Sequence, residues 1–348
     1  MTEQKKRETE LDILRFISTL AVIMTHLCGG PVKSIDIYSF NWSVLNCLRA
    51  AVTWDVPVFV MISGCLFLDP KRDVSIKLMY KKYIKHIVIC FCIWSAIFQV
   101  WYYYTGHNNL NWKGIISQFL VGPYPFWYLF MLVGIYMVVP FLKQFTSNKV
   151  LLQYFLLLFI LMEFVANYGI SLPYIGAVIA EIFNKATFHF TLGFTGYYML
   201  GYYLVTYKVS DKLERILYVL GILCVFFSCF ATTWQSRLNG VYTEWFSKYL
   251  MPNVIVESAA IFTFFVKRVS RLSFSPLAKK IWEFLTIHGF GVYLVHALII
   301  EMLNLSNITV ISASPLVMVP MLTIIVYLIS LLLTWLIRKL PVVGKKIT

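Results

Sequence analysis

The sequence predicts an all-α polytopic membrane protein of about ten transmembrane helices, with both termini in the cytosol. Three observations predict it. Hydrophobic residues fill 59% of the 348 positions against 13% charged, and mean hydropathy is +0.75, far from a soluble domain. Ten stretches approach the roughly 20 mainly apolar residues that a bilayer span needs. The charges sit in short clusters between those stretches, denser on alternate sides of the membrane.

The spans fall at 11–29, 50–68, 84–104, 126–145, 150–168, 187–206, 214–232, 249–267, 282–303 and 315–337. With the N-terminus inside, 23 of the 30 Lys and Arg are cytosolic. Six are external (Lys33, Arg49, Lys113, Lys185, Arg237, Lys248), and Arg15 lies within a span. This asymmetry and the even number of spans set the orientation. The net charge of +14 is thereby assigned to topology, so membrane lipid is an expected partner and nucleic acid is not. No stretch reads as a separate soluble domain: residues 1–348 form one transmembrane domain, and a homo-oligomer is compatible with the pattern.

The first span follows Lys5-Lys6-Arg7, as a signal peptide would, but lacks a small-x-small cleavage site and is interrupted by Arg15, so it is retained. It carries Asp12, Arg15 and His26. A central Arg costs about 2.5–3.5 kcal/mol even on a mild insertion scale. Arg15 and His26 are eleven residues apart, about 20° off a common face and roughly 16 Å along the axis. They line one stripe without touching. A guanidinium near the cytosolic surface suits a phosphate or pyrophosphate, while snorkelling with Asp12 as an i,i+3 partner is its plain structural role. His26 suits the removal of a hydroxyl proton; its structural role is a bond to a carbonyl or a neighbouring helix.

The second span contains Asp55-Val56-Pro57, where Pro57 can kink the helix, and Ser63-Gly64, which permits close helix packing. Asp55 and Arg49 are read as an outer pair or part of an acceptor site. The basic segment Asp69–Lys85 reads first as a topology anchor on anionic headgroups, and second as an attractor of a polyanionic substrate. The outer segments 30–48 and 105–125 carry Tyr38, Trp42 and Trp112, and Trp101–Tyr104 end the span just before the second, rings typical of the membrane interface. Three formal glycosylation sequons start at Asn41, Asn304 and Asn307.

The fourth span opens with Tyr124-Pro125-Phe126-Trp127-Tyr128 and continues through Tyr136 to Pro140. Glu163 with Asn167 in the fifth span, and Glu257 in the eighth, are polar groups able to bond other helices. The ninth carries Glu283, His288, Gly289, Gly291, Tyr293, His296 and Glu301. His296 near mid-span is a second catalytic or substrate-binding candidate. The seven Cys lie mostly in apolar runs without a C-x-x-C pair and read as buried hydrophobes, not as disulfides or metal ligands. H-E-x-x-H, Walker, G-x-S-x-G and D-D-x-x-D patterns are absent, and no metal is expected.

Over Leu11 to about Lys346 the chain resembles the acyltransferase family 3 membrane proteins, which include O-acetyltransferases of bacterial surface polysaccharides. Arg15-x10-His26 within Leu-Asp-x-Leu-Arg is similar to the family's first-helix motif, and 56–64 resembles its second. Trp127-Tyr128-Leu129 with Tyr136 and Pro140 resembles the third; Gly201-Tyr202-Tyr203 and Gly291-Val-Tyr-Leu-Val-His296 are similar to motifs of the sixth and ninth spans. Pro125 stands where the family commonly has His, and Gly289 where it often has Ser.

The resemblance implies a donor, acetyl-CoA or another acyl-CoA, used from the cytosol, and a hydroxyl acceptor on a glycan or lipid-linked sugar. It places the chain in the bacterial plasma membrane. It implies Arg15 steadying the CoA, His26 as base or transient acyl carrier, and Asp12, Ser63, Trp127, Tyr128, Tyr293 and His296 in substrate binding. A transporter or flippase of a sugar, lipid-linked glycan or small metabolite is the alternative that the scattered intramembrane charges also fit.

Overall fold

The computed structural model describes residues 2–348 except 73, 107–110, 173, 187–192, 208 and 342–343, and leaves out the side chains of 2–8, 184, 186 and 345. Among the described residues the chain is helical, with no strand. The principal helices are α1 (Thr2–Gly29), α2 (Phe40–Ala50), α3 (Asp55–Phe67), α4 (Lys85–Tyr104), α5 (Trp127–Phe145) and α6 (Lys149–Phe164). They continue as α7 (Phe194–Thr206), α8 (Asp211–Asn239), α9 (Pro252–Lys267), α10 (Pro276–Leu305) and α11 (Pro315–Arg338).

Nine of the ten expected spans coincide, among the described residues, with helical stretches long and apolar enough to cross a membrane, from Thr9–Ser34 to Pro315–Arg338. The remaining one corresponds to α7, whose 13 described residues follow a segment, 187–192, outside the described residues. Local chemistry sets several starts. Asn148, Ser210 and Ser275 accept bonds from first-turn N–H groups of α6, α8 and α10, and Pro276 opens α10 where its missing N–H is harmless. Gly240, at φ +71°, ends α8 in a left-handed turn that only glycine adopts readily.

α1 is the hub, packing on α2, α3, α9, α10 and α11. The α3–α7 interface is the tightest. A Cβ on Gly64 would lie 1.9 Å from the Tyr198 carbonyl oxygen, and one on Gly201 would lie 2.1 Å from that of Met61. Two glycines on opposite helices thus let the backbones touch, as expected for Ser63-Gly64. Burial separates core from periphery: 78% of the Phe40–Phe67 span window is buried against 22% for Asp211–Asn239, whose Phe226, Phe230 and Leu223 face outward.

Three expectations, on Pro57, Trp42 and the cysteines, are corrected. The second span is not one kinked helix: residues 51–54 form a turn, and Pro57 sits in the first turn of α3, where a proline interrupts little. The outer segment 30–48 is largely helical, because Ser39 caps α2 by accepting from the Trp42 N–H. Trp42 itself is not interfacial; it is fully buried, and its indole N–H donates to Val32 O at 3.0 Å. Cys47 and Cys229 form a disulfide between α2 and α8, their Cα atoms 5.1 Å apart. A separation of 182 residues hid that pairing from any local pattern.

The basic segment also proves largely helical. Ser75 caps Ile76–Leu78, a π-helical turn follows over Met79–Ile84, and α4 continues from Lys85. Lys81, Lys82 and Lys85 are therefore carried on the leading end of a span.

Candidate active site

α1 builds the first wall. Arg15, Thr19, Val22 and His26 follow one another at four, three and four residues, within about 60° of one face, and all four line a cavity of about 330 Å³. α3 contributes Val56, Phe59 and Ser63, again at helical spacing. Pro125 comes from the turn before α5, and Trp127, Tyr128, Leu132 and Tyr136 from α5 itself. Thr286, Gly289, Phe290 and Tyr293 of α10, with Tyr249 and Tyr327, close it. Polar atoms at selected points in an apolar, aromatic wall are the usual make-up of a small-molecule site.

The groups on α1 have partners. Asp12 pairs with Arg15 at 2.8 Å, the two side chains 18% and 27% exposed, so the i,i+3 reading holds and Arg15 still reaches the cavity. His26 is half-buried; its Nδ1 lies 2.9 Å from Nε2 of the fully buried His296 on α10, with the rings stacked at 22°. His296 Nδ1 is 2.6 Å from Tyr293 O. Tyr124 presents its ring edge-on to His26, with centroids 5.2 Å apart. The Tyr293 hydroxyl donates to Pro125 O, tying α10 to the turn before α5. Ser63 donates to Phe59 O at 3.1 Å and is bonded to Tyr136. Trp127 stacks on Tyr249, with centroids 5.7 Å apart.

The structure thus gathers the candidate residues round one cavity. Arg15, His26, Ser63, Trp127, Tyr128 and Tyr293 line it, His296 backs His26, and Asp12 backs Arg15. His288 stands apart, bonded to Phe284 O at 2.7 Å. Asp55 does not pair with Arg49. It is fully buried and accepts from Thr25 Oγ1 at 2.8 Å and from Val56 N, fixing the turn of α1 that carries His26. Arg49 instead pairs with Glu244 at 2.7 Å and donates to the Tyr242 hydroxyl, whose pKa burial pushes up to about 12. Glu257 of α9 bonds another helix as expected, accepting from Ser228 of α8 at 2.7 Å, whereas Glu163 accepts from Asn167 of its own span at 3.0 Å and from the Gly193 N–H just before α7 at 2.6 Å.

A second cavity, of about 730 Å³, is lined by Lys81, Lys82, Lys85, His86 and Lys346, and shares Leu132, Tyr136 and Phe290 with the first. A cationic compartment therefore adjoins the one holding Arg15 and His26. Sequence reading missed Thr19, Phe290, Tyr249 and Tyr327 as lining residues. Thr19 was legible at i+4 from Arg15; Tyr249, from the turn before α9, and Tyr327, from α11, are distant in sequence and carry no pattern. Pro125 and Gly289, where the chain departs from the resembled family, both lie on the cavity wall.

The acyltransferase family 3 model, described as an acyltransferase domain, matches residues 8–339. No curated protein and no solved structure gives a significant match.

Proposed function

The chain belongs to acyltransferase family 3, and from that premise we propose that it is an acyl-CoA-dependent O-acyltransferase of the bacterial plasma membrane. The acyl group, acetyl first among those expected, passes from acyl-CoA on the cytosolic side to a hydroxyl of a cell-surface glycan or lipid-linked sugar. The observation that carries this reading is the single cavity lined by both Arg15 and His26, with a lysine-lined compartment beside it.

The donor fits that arrangement by its chemistry. A nucleotide end bearing several phosphates matches Lys81, Lys82, Lys85 and Lys346, and Arg15 offers a planar donor fork to a phosphate or to the polar arm. A long, mostly neutral arm suits the aromatic wall of Phe16, Phe290 and Tyr327. The thioester then comes to His26. As general base, His26 removes the acceptor hydroxyl proton while the oxygen attacks the thioester carbonyl carbon. The C–S bond breaks, and the departing thiolate takes the proton back from the imidazole. As acyl carrier, an imidazole nitrogen of His26 would attack the thioester carbonyl first and expel the CoA thiolate; the acceptor oxygen would then attack the acyl-imidazole, the C–N bond would break, and the acceptor proton would end on the thiolate. Trp127, Tyr128 and Tyr293 shape the acceptor side of the wall, and Ser63 with Tyr136 supplies hydroxyls along the path.

His26→Ala tests this. Acyl transfer in protein-containing nanodiscs is expected to fall by about 10²–10⁴-fold, the usual contribution of a general base, while membrane insertion and acetyl-CoA binding persist. Unchanged product formation contradicts the role.

A further inference from the structure

We infer that His296 is a positioning residue that fixes the tautomer of His26, so that the reactive nitrogen is Nε2. This deepens the proposed function and rests on it for its chemical consequence.

A backbone carbonyl can only accept a hydrogen bond, so at 2.6 Å from Tyr293 O, His296 Nδ1 must be the protonated nitrogen. His296 is fully buried, and a second proton would place an imidazolium among Val292, Leu294, Val295 and Ala297, all buried apolar neighbours on its own helix. The neutral ring then has a lone pair at Nε2. That nitrogen faces His26 Nδ1 at 2.9 Å, so His26 Nδ1 carries the proton and donates it. The remaining nitrogen of His26, Nε2, is left with its lone pair on a side chain that lines the cavity.

Each ring therefore dictates the state of the next, starting from a carbonyl that cannot change. In water a neutral histidine favours the opposite tautomer, with the proton on Nε2, where it would block proton removal from an acceptor. Reaction from the fixed form balances: the acceptor hydroxyl proton moves to His26 Nε2, its oxygen bonds the acyl carbon, the C–S bond breaks, and the thiolate sulfur takes that proton. Nδ1–H of His26 stays on His296 throughout and steadies the transient imidazolium. Orientation by a second group is how histidine bases are generally held in one tautomer.

The test combines a spectrum and kinetics on the full-length protein in nanodiscs. With 15N-histidine labelling, and the His26 signals assigned by their loss in His26→Ala, wild type should show His26 protonated at Nδ1. In His296→Ala that proton should shift to Nε2, and kcat should fall at least about 10-fold with KM for acetyl-CoA unchanged, the scale typical of outer partners that orient a histidine. His296→Gln, whose side-chain oxygen can accept from Nδ1–H, should restore the Nδ1–H form and much of kcat. A wild-type spectrum with His26 protonated at Nε2, or unchanged kcat in His296→Ala, overturns the inference. If no variant turns over acyl-CoA, the function reading fails, and the wild-type spectrum alone still decides the tautomer.

Discussion

The guanidinium of Arg15 offers five N–H donors, and Asp12 pairs with it at Nη1. Asp12 thus holds the side chain toward the cavity without exhausting it. A partly exposed ion pair between neighbouring turns contributes about 0–1 kcal/mol, whereas a bidentate bond to a phosphate contributes several-fold more. Asp12→Asn should therefore change acetyl-CoA affinity less than about fivefold, and Arg15→Ala should weaken it about 10- to 100-fold, both read by titration calorimetry. An Asp12→Asn loss as large as that of Arg15→Ala would show that the carboxylate itself meets the ligand. Arg15 and His26 were legible in the sequence because an ionisable residue within a span is unexpected. Asp55 reads in the sequence as an outer pair with Arg49 or part of an acceptor site; neither its burial nor its bond to Thr25 was legible, since Thr25 is one of many hydroxyls and only packing selects it.

At the scale of elements, helices were readable from hydropathy, and boundaries were not. The break at 51–54 and the helix at Phe40–Ala50 depend on capping and packing that an apolar run conceals. The α3–α7 contact follows from Gly64 and Gly201 meeting opposing carbonyls. Gly64→Ala should push the helices apart, destabilise the protein by about 1–3 kcal/mol, and lower its melting temperature in detergent. An unchanged melting temperature would contradict such close packing. The Cys47–Cys229 bond joins two elements near the end of the bundle expected to face outward, where thiols oxidise. Without reductant, both cysteines should resist alkylation. After reduction both should label, and the melting temperature should drop, a closed loop of this length contributing about 2–5 kcal/mol.

At the scale of the whole molecule, two adjoining compartments, one cationic and one aromatic, meet at Leu132, Tyr136 and Phe290, and α1 walls the aromatic one. Charge clustering alone allowed the basic segment to be only a topology anchor. The fold adds a reason for more, because Lys81, Lys82 and Lys85 share a cavity with Lys346 from the far end of the chain. Replacing those three lysines on the α4 side with Gln should raise KM for acetyl-CoA about 10-fold, flatten its dependence on salt, and leave kcat near wild type. An unaltered salt dependence would return them to the anchoring role.

The most direct measurement is thermal stability of the purified protein in nanodiscs with acetyl-CoA, its dephospho analogue and its desulfo analogue, for wild type and Arg15→Ala. A ligand that binds only the folded state at 100 times its Kd stabilises it by about 2.7 kcal/mol. A rise in wild-type melting temperature of a few degrees is predicted with acetyl-CoA, less with the dephospho form, and at most about half the acetyl-CoA rise in Arg15→Ala. No shift in folded wild-type protein with any acyl-CoA would contradict an acyl-CoA site beside α1.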